Sequence, residues 1–96
     1  MEFDIIWTSK SYEDIVSIYE YLVGKISGKT ADKIIDEIFE SPSQITYPEQ
    51  FQIDEYRKDC RRIIVRNYKV LYYYSNGIIS IMRVFNTYQN PDKSLK

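Results

Sequence analysis

The chain contains no histidine and a single cysteine, Cys60. The first absence removes the usual neutral-pH general base and the usual zinc ligand, so Ser-His-Asp, Cys-His and HExxH chemistry is excluded. The second rules out an intramolecular disulfide; with nothing in the sequence to act as its base, Cys60 reads as a small buried or half-buried residue. Glycine and proline are scarce, three of each in 96 residues, and there is no internal repeat or low-complexity segment. No apolar run approaches the roughly 20 residues of a membrane span. The opening Met1-Glu2-Phe3-Asp4 lacks the basic start of a signal peptide, so a soluble cytoplasmic protein with no membrane partner is expected.

Apolar and aromatic side chains are plentiful: 44% of residues are hydrophobic and 16% aromatic, with ten tyrosines. A chain of this length is expected to form one domain over residues 1–96, burying roughly 60 to 68% of the surface its unfolded form exposes. The net charge of −1 hides an asymmetry: residues 1–50 carry 4 basic and 10 acidic side chains, residues 51–96 carry 9 basic and 4 acidic. From Arg57 to Arg83 the basic residues are Arg57, Lys58, Arg61, Arg62, Arg66, Lys69 and Arg83, against one acid, Asp59. Grouped on one surface, these could hold an anionic partner; they would equally serve as solvated strand positions paired with acids of the first half.

Phe3-Asp4-Ile5-Ile6-Trp7 reads as a first strand. Ser11 with Asp14 resembles a capping box, and Ile15, Ile18, Tyr19, Leu22 and Ile26 recur at helical spacing, giving a helix over about 12–26. Ser27-Gly28-Lys29 breaks the chain, Thr30 can cap a second helix, and Ala31, Ile34, Ile35, Ile38 and Phe39 form its apolar stripe, with Pro42 close to its end. From Cys60 the pattern turns β-branched and aromatic, and the turn signals Arg66-Asn67 and Ser75-Asn76-Gly77 cut it into strands near 60–66, 68–75 and 78–85. Asn90-Pro91 opens a polar tail expected to be short or mobile. The fold class is α+β, ordered β-α-α-β-β-β, with a helical hairpin packed on one face of a small, mainly antiparallel sheet.

Alternation assigns Ile63 and Val65 to the core, which turns Arg62 and Arg66 away from the helices; Lys69, Tyr73 and Arg83 are placed beside them on a basic, aromatic open face. Trp7 and Tyr72 are assigned to the core. Glu13, Asp14, Glu20, Asp32, Asp36, Glu37 and Glu40 are assigned to the solvated outer face of the hairpin. Asp36 and Glu40 have no third ligand to hold a cation, and no metal or cofactor is expected.

Several strings, in order, resemble the RelE/ParE superfamily of type II toxin-antitoxin toxins over nearly the whole chain. They are Trp7-Thr8 with Asp14-Ile15 and Ile18-Tyr19-x-Tyr21; Ala31-x-x-Ile34-Ile35-Asp36-x-Ile38-Phe39; Asn67-Tyr68-Lys69-Val70-Leu71-Tyr72-Tyr73; and Val84-Phe85-Asn86-Thr87-Tyr88-Gln89-Asn90-Pro91. The resemblance implies a toxin neutralised by a cognate antitoxin that wraps around it as a hetero-oligomer. It also implies one of two targets: mRNA in the ribosome, cut by RelE-like toxins, or DNA gyrase, inhibited by ParE-like ones. The hairpin pattern looks more like the ParE branch. A third reading is a non-toxic module that keeps only the antitoxin partner.

For the RNase alternative, Arg62 and Lys69 match basic positions of the family's cleavage cluster, and Arg83 and Tyr88 complete the candidate set. Departures count against it: Ile64 stands where a second lysine is usual, Thr87 near an expected arginine, and Asn86 and Tyr88 where an acid and an arginine are common; Phe51 replaces a loop glycine. Cleavage without a metal needs a base, an acid and cations, and without histidine only Tyr73, Tyr88 or a carboxylate such as Glu55 could move protons. A tyrosine with a pKa near ~10 is a poor base. For the antitoxin, a partly disordered acidic segment is expected to engage Arg61, Arg62, Arg66, Lys69, Tyr73 and Arg83.

Overall fold

Strand β1 (Asp4–Trp7) leads into helices α1 (Ser9–Val23) and α2 (Gly28–Glu40), a 3-10 turn (Ser41–Gln44), and strands β2 (Arg61–Val65), β3 (Tyr68–Ser75) and β4 (Ile78–Asn86). These elements come from a computed structural model that describes residues 3–88; the polar tail beginning at Asn90 lies outside the described residues. The expected α+β order holds. The sheet runs β1-β4-β3-β2, with β1 parallel to β4 and the other two pairs antiparallel.

The last three strands form a meander because their turns demand left-handed backbone where the sequence tolerates it. Asn76 and Gly77 take φ of 52° and 79°, the primed geometry that matches strand twist. Arg66 takes φ of 56° in the other turn, so β2 ends at Val65. The helices fold onto one face through Ile15 and Leu22 of α1 and Ala31, Ile34 and Ile38 of α2. These meet Ile63, Val70, Tyr72, Ile79, Ile81 and Val84 of the sheet, all buried. Tyr72 satisfies its buried hydroxyl by donating to the Pro48 carbonyl at 2.8 Å. Trp7 packs edge-on to Phe39, with ring centroids 4.8 Å apart.

The helix ends differ from the sequence reading by about one turn. Thr8, not Ser11, caps α1: its Oγ1 accepts the Ser11 amide at 3.2 Å and donates to the Ile81 carbonyl at 2.8 Å. Ser11 lies inside the first turn, fully buried. Ser27 rather than Thr30 caps α2, accepting the Thr30 amide, and α1 stops at Val23. Pro42 fits because it occupies the first turn of the 3-10 segment, where its missing N–H costs nothing.

Asp14 and Glu37 leave the solvated face assigned to them. β4 continues past the end of β1, and α1 runs along that exposed strand edge. There Asp14 Oδ2 accepts the Val84 amide at 2.9 Å and Arg83 Nε at 2.8 Å, while Oδ1 accepts Arg83 Nη2 at 3.0 Å. One carboxylate thus closes a strand edge and clamps an arginine. Glu37 on α2 holds Arg66 in a two-bonded pair at 2.7 and 2.9 Å.

Asp14→Ala should lower stability by about 2 kcal/mol in urea unfolding, because it strips hydrogen bonds from a half-buried guanidinium and a strand amide. Asp36→Ala, on the exposed side of α2, should stay within about 0.5 kcal/mol. Equal small effects at both positions would remove the clamping role.

Candidate functional site

Pairing places Arg62, Ile64, Lys69, Leu71, Tyr73, Arg83 and Phe85 on the sheet face away from the helices: Arg62 is opposite Leu71, Ile64 opposite Lys69, Leu71 opposite Arg83 and Lys69 opposite Phe85. That face is neither open nor evenly basic. Residues 52–60 fold back along it as an irregular hairpin. Its stem is an Ile53–Arg61 bridge with hydrogen bonds from Arg62 N to Gln52 O and from Asp54 N to Cys60 O, both 2.9 Å. Cys60, Leu71 and Phe85, with Met82 against them, make a small second apolar cluster.

Asp54 fixes this hairpin. Its side chain has no exposed surface, and Oδ2 accepts the Tyr56 and Arg57 amides at 3.0 and 2.8 Å in an Asx turn. Oδ1 accepts Lys69 Nζ at 2.9 Å and lies 3.8 Å from Arg62 Nη1. The Tyr56 ring covers the same ammonium, 5.0 Å from centroid to Nζ. Arg62 completes its contacts with Gln52 Oε1 at 3.0 Å. Burial alone would raise the Asp54 carboxyl, but the hydrogen bond from Lys69 and those from the Arg57 and Tyr56 amides outweigh it and hold it below the usual carboxylate range.

The other expected site residues scatter. Arg66, which alternation directed away from the helices, is drawn instead to Glu37 of α2, because the left-handed turn at 66 ends the alternation one residue early. Arg61 lies on the helix side and donates to the Phe51 carbonyl at 2.8 Å. Arg83 is committed to Asp14 and stacks 4.5 Å over the Phe85 ring. Tyr73 is half exposed opposite Ser80 of β4, four residues along β3 from Lys69, the partner of exposed Ile64. Tyr88 is 86% exposed and joins Asp14, Ile18, Tyr21, Tyr68, Arg83 and Asn86 around a cleft of about 410 Å³ between α1 and the end of β4. The four residues of the cleavage alternative therefore divide, Arg62 and Lys69 under the hairpin and Arg83 and Tyr88 in the cleft. Glu55 is exposed at the hairpin tip, whereas Asp54, the carboxylate that does organise the face, escaped the sequence reading. Its one local signal was an Asp heading a polar stretch just before a strand.

Cys60 is buried, and loss of water around it pushes the thiol up to about 11, which leaves little thiolate near neutral pH. Among the described residues no group of three or more potential ligands could hold a metal ion. A disulfide reagent at about pH 8 should label Cys60 at the rate of unfolding; fast labelling of the native protein would contradict its burial. For Asp54 the sign is that of a depressed carboxyl: the stability it contributes is present above the unfolded value of ~3.9 and lost as pH falls through the folded pKa. Asp54→Asn should therefore cost roughly 2 to 3 kcal/mol at neutral pH, with the gap closing below about pH 4 in acid-titrated urea melts. A gap independent of pH would contradict the ion pair.

The comparisons with known proteins agree with this architecture. Among solved structures, the chain is similar to one from the chromosomal ParDE toxin-antitoxin system from P. aeruginosa, with a TM-score of 0.77 and 20% identity over 88% of this chain and 95% of that one. At that identity the likeness establishes the fold. No curated protein matches. The model of the ParE toxin of the type II toxin-antitoxin system, parDE, matches residues 5–91, nearly the full length, and the chain belongs to that ParE toxin family.

Proposed function

We propose that the protein is the toxin of a type II toxin-antitoxin pair, held inactive by its cognate antitoxin, and that it arrests growth in the cytoplasm by binding DNA gyrase rather than by cutting RNA. The observation that carries the choice is the buried Asp54 carboxylate. An RNase site needs Lys69 and Arg62 free to meet a phosphate as its charge develops. Here Lys69 is only 11% exposed and spent on an internal carboxylate, so an entering phosphate would first have to overcome that pair. Proton transfer is equally unsupported: Tyr88 stands exposed in a different region, and there is no histidine to share the work.

What remains suited to the antitoxin is chiefly apolar. Ile64 and Tyr73 are half exposed toward opposite ends of the outer sheet face, Arg62 keeps 26% of its side chain accessible, and the cleft by Arg83 and Tyr88 reaches Phe85, which lies across Lys69 from Ile64. An extended or helical antitoxin segment crossing this side would bury those groups and place its acids near Arg62 and Arg83. Arg66 remains accessible at the far turn and Arg61 lies on the opposite face, so neither belongs to the same contact.

Expressed without its antitoxin, the chain should arrest growth with accumulated gyrase-DNA cleavage complexes and intact mRNA. Arg62→Ala and Lys69→Ala should leave translating mRNA as intact as the wild type does. Rapid mRNA cleavage that either substitution abolishes would overturn this reading in favour of the ribonuclease, and no growth effect at all would favour the antitoxin-binding module.

A further inference from the structure

We propose that the outer groove of the helical hairpin is a docking surface for a basic amphipathic helix of a second protein partner. α1 carries two stripes of the same 4-3-4 spacing, the first apolar but for buried Ser11 and the second apolar throughout. Ser11, Ile15, Ile18 and Leu22 face the sheet, with Ser11, Ile15 and Leu22 buried and Ile18 packed on the core. One residue later in each case, Tyr12, Val16, Tyr19 and Val23 repeat the spacing but remain 51%, 54%, 38% and 43% exposed. That spacing is the seam of a two-helix coiled coil, which normally lies against a partner. α2 supplies only one wall: Phe39 approaches Tyr12 at 6.0 Å between centroids, and Asp32 lies close enough to raise the Tyr19 hydroxyl's pKa. Val16 and Val23 stay uncovered along the top. A contiguous exposed apolar strip of this kind, rimmed by polar residues, marks an interaction surface.

Charge chooses the occupant. Glu13 and Glu20 follow Tyr12 and Tyr19 along one rim, and Asp32 and Asp36 of α2 border the other. All four are exposed, and none has an ion-pair partner among the described residues, although the same chain pairs Asp14, Glu37, Asp54 and Asp59 internally. At 100° per residue, Lys33 falls about 60° further round α2 than Asp36, while Lys29 lies within about 20° of it, one base against the four acids of the rims. An apolar floor between acidic rims fits a helix with apolar a and d positions and lysine or arginine at e and g. An acidic antitoxin segment would be repelled there, so this surface serves a different protein. The inference stands apart from the toxin reading, since the groove is defined whether or not the chain is toxic.

The test uses the full chain and two synthetic helical peptides of about three heptads, with leucine at a and d and either lysine or glutamate at e and g. Fluorescence anisotropy should show the lysine peptide binding at least about ten-fold more tightly than the glutamate peptide. In the spectrum of the isotopically labelled protein, perturbed amides should cluster at residues 12–23 and 32–39. Val16→Glu separates a seated helix from loose charge attraction: the added acid would strengthen a purely electrostatic association, whereas a helix lying in the seam must be lost. Glu20→Lys should weaken binding of the lysine peptide as well. Both positions are exposed, so both variants should keep the wild-type melting profile; if either does not, Glu13→Lys replaces it. The proposal is overturned by equal affinity for the two peptides, by tighter binding to Val16→Glu, or by perturbations on the outer sheet face. Self-association of the wild type that Val16→Glu abolishes would also overturn it, by making a second copy the occupant.

Discussion

A fully buried carboxylate sets the character of this molecule's outer sheet face. A carboxylate can be held without water only when its oxygens are filled, and Asp54 fills them with two backbone amides of its own turn and the Lys69 ammonium, with Arg62 close by. The backbone half of that arrangement folds the 52–60 hairpin; the side-chain half pins it to β3. Removing the charge would release both, leaving a lysine with 11% exposure uncompensated and the Cys60, Leu71 and Phe85 cluster without its cover. A surface that composition paints as strongly cationic is therefore close to neutral where it matters, because its cations are spent holding the chain together.

The opposite edge of the sheet obeys a similar rule. β4 is nine residues long and β1 only four, so β4 presents unpaired edge groups beyond Ile81. Thr8 takes the Ile81 carbonyl and Asp14 takes the Val84 amide, so the first turns of α1 substitute for a longer strand. α1 is tied there while Ile15 and Leu22 pack on the sheet, and the cleft at Tyr88 lies between its Asp14, Ile18 and Tyr21 and the end of β4.

Much of the fold was legible in the sequence. β-branched and aromatic runs cut by turn signals gave all four strands to within about a residue, Asn76-Gly77 marked its hairpin, and Ile15, Leu22, Ile34 and Ile38 were assigned to the faces that do bury them. Local repetition blurred the helix starts, since Thr8, Ser11, Ser27 and Thr30 all have capping chemistry and only the approach of Ile81 selects Thr8. The electrostatics were legible only in outline: pairing with acids of the first half was one of two readings, and Arg83 with Asp14 and Arg66 with Glu37 follow it, but the individual partners could not be named. Arg83 finds Asp14 at a separation of 69 residues, Arg66 finds Glu37 at 29 and Lys69 finds Asp54 at 15. No local pattern reports such pairs, so counting basic residues along β2 to β4 overstated the charge they show to solvent. Arg66 was misplaced for a further reason: alternation assumes the strand continues, and a left-handed residue ends it.

If the outer face is held together by Asp54 and Lys69, the two side chains must be strongly coupled. A double-mutant cycle with Asp54→Asn and Lys69→Met, followed by urea unfolding at neutral pH and low salt, measures that coupling directly. The expected coupling is about 2 kcal/mol, with the double variant more stable than the sum of the single losses would allow. A coupling within about 0.5 kcal/mol of zero would contradict the account, leaving Lys69 free for a phosphate and the outer face cationic after all.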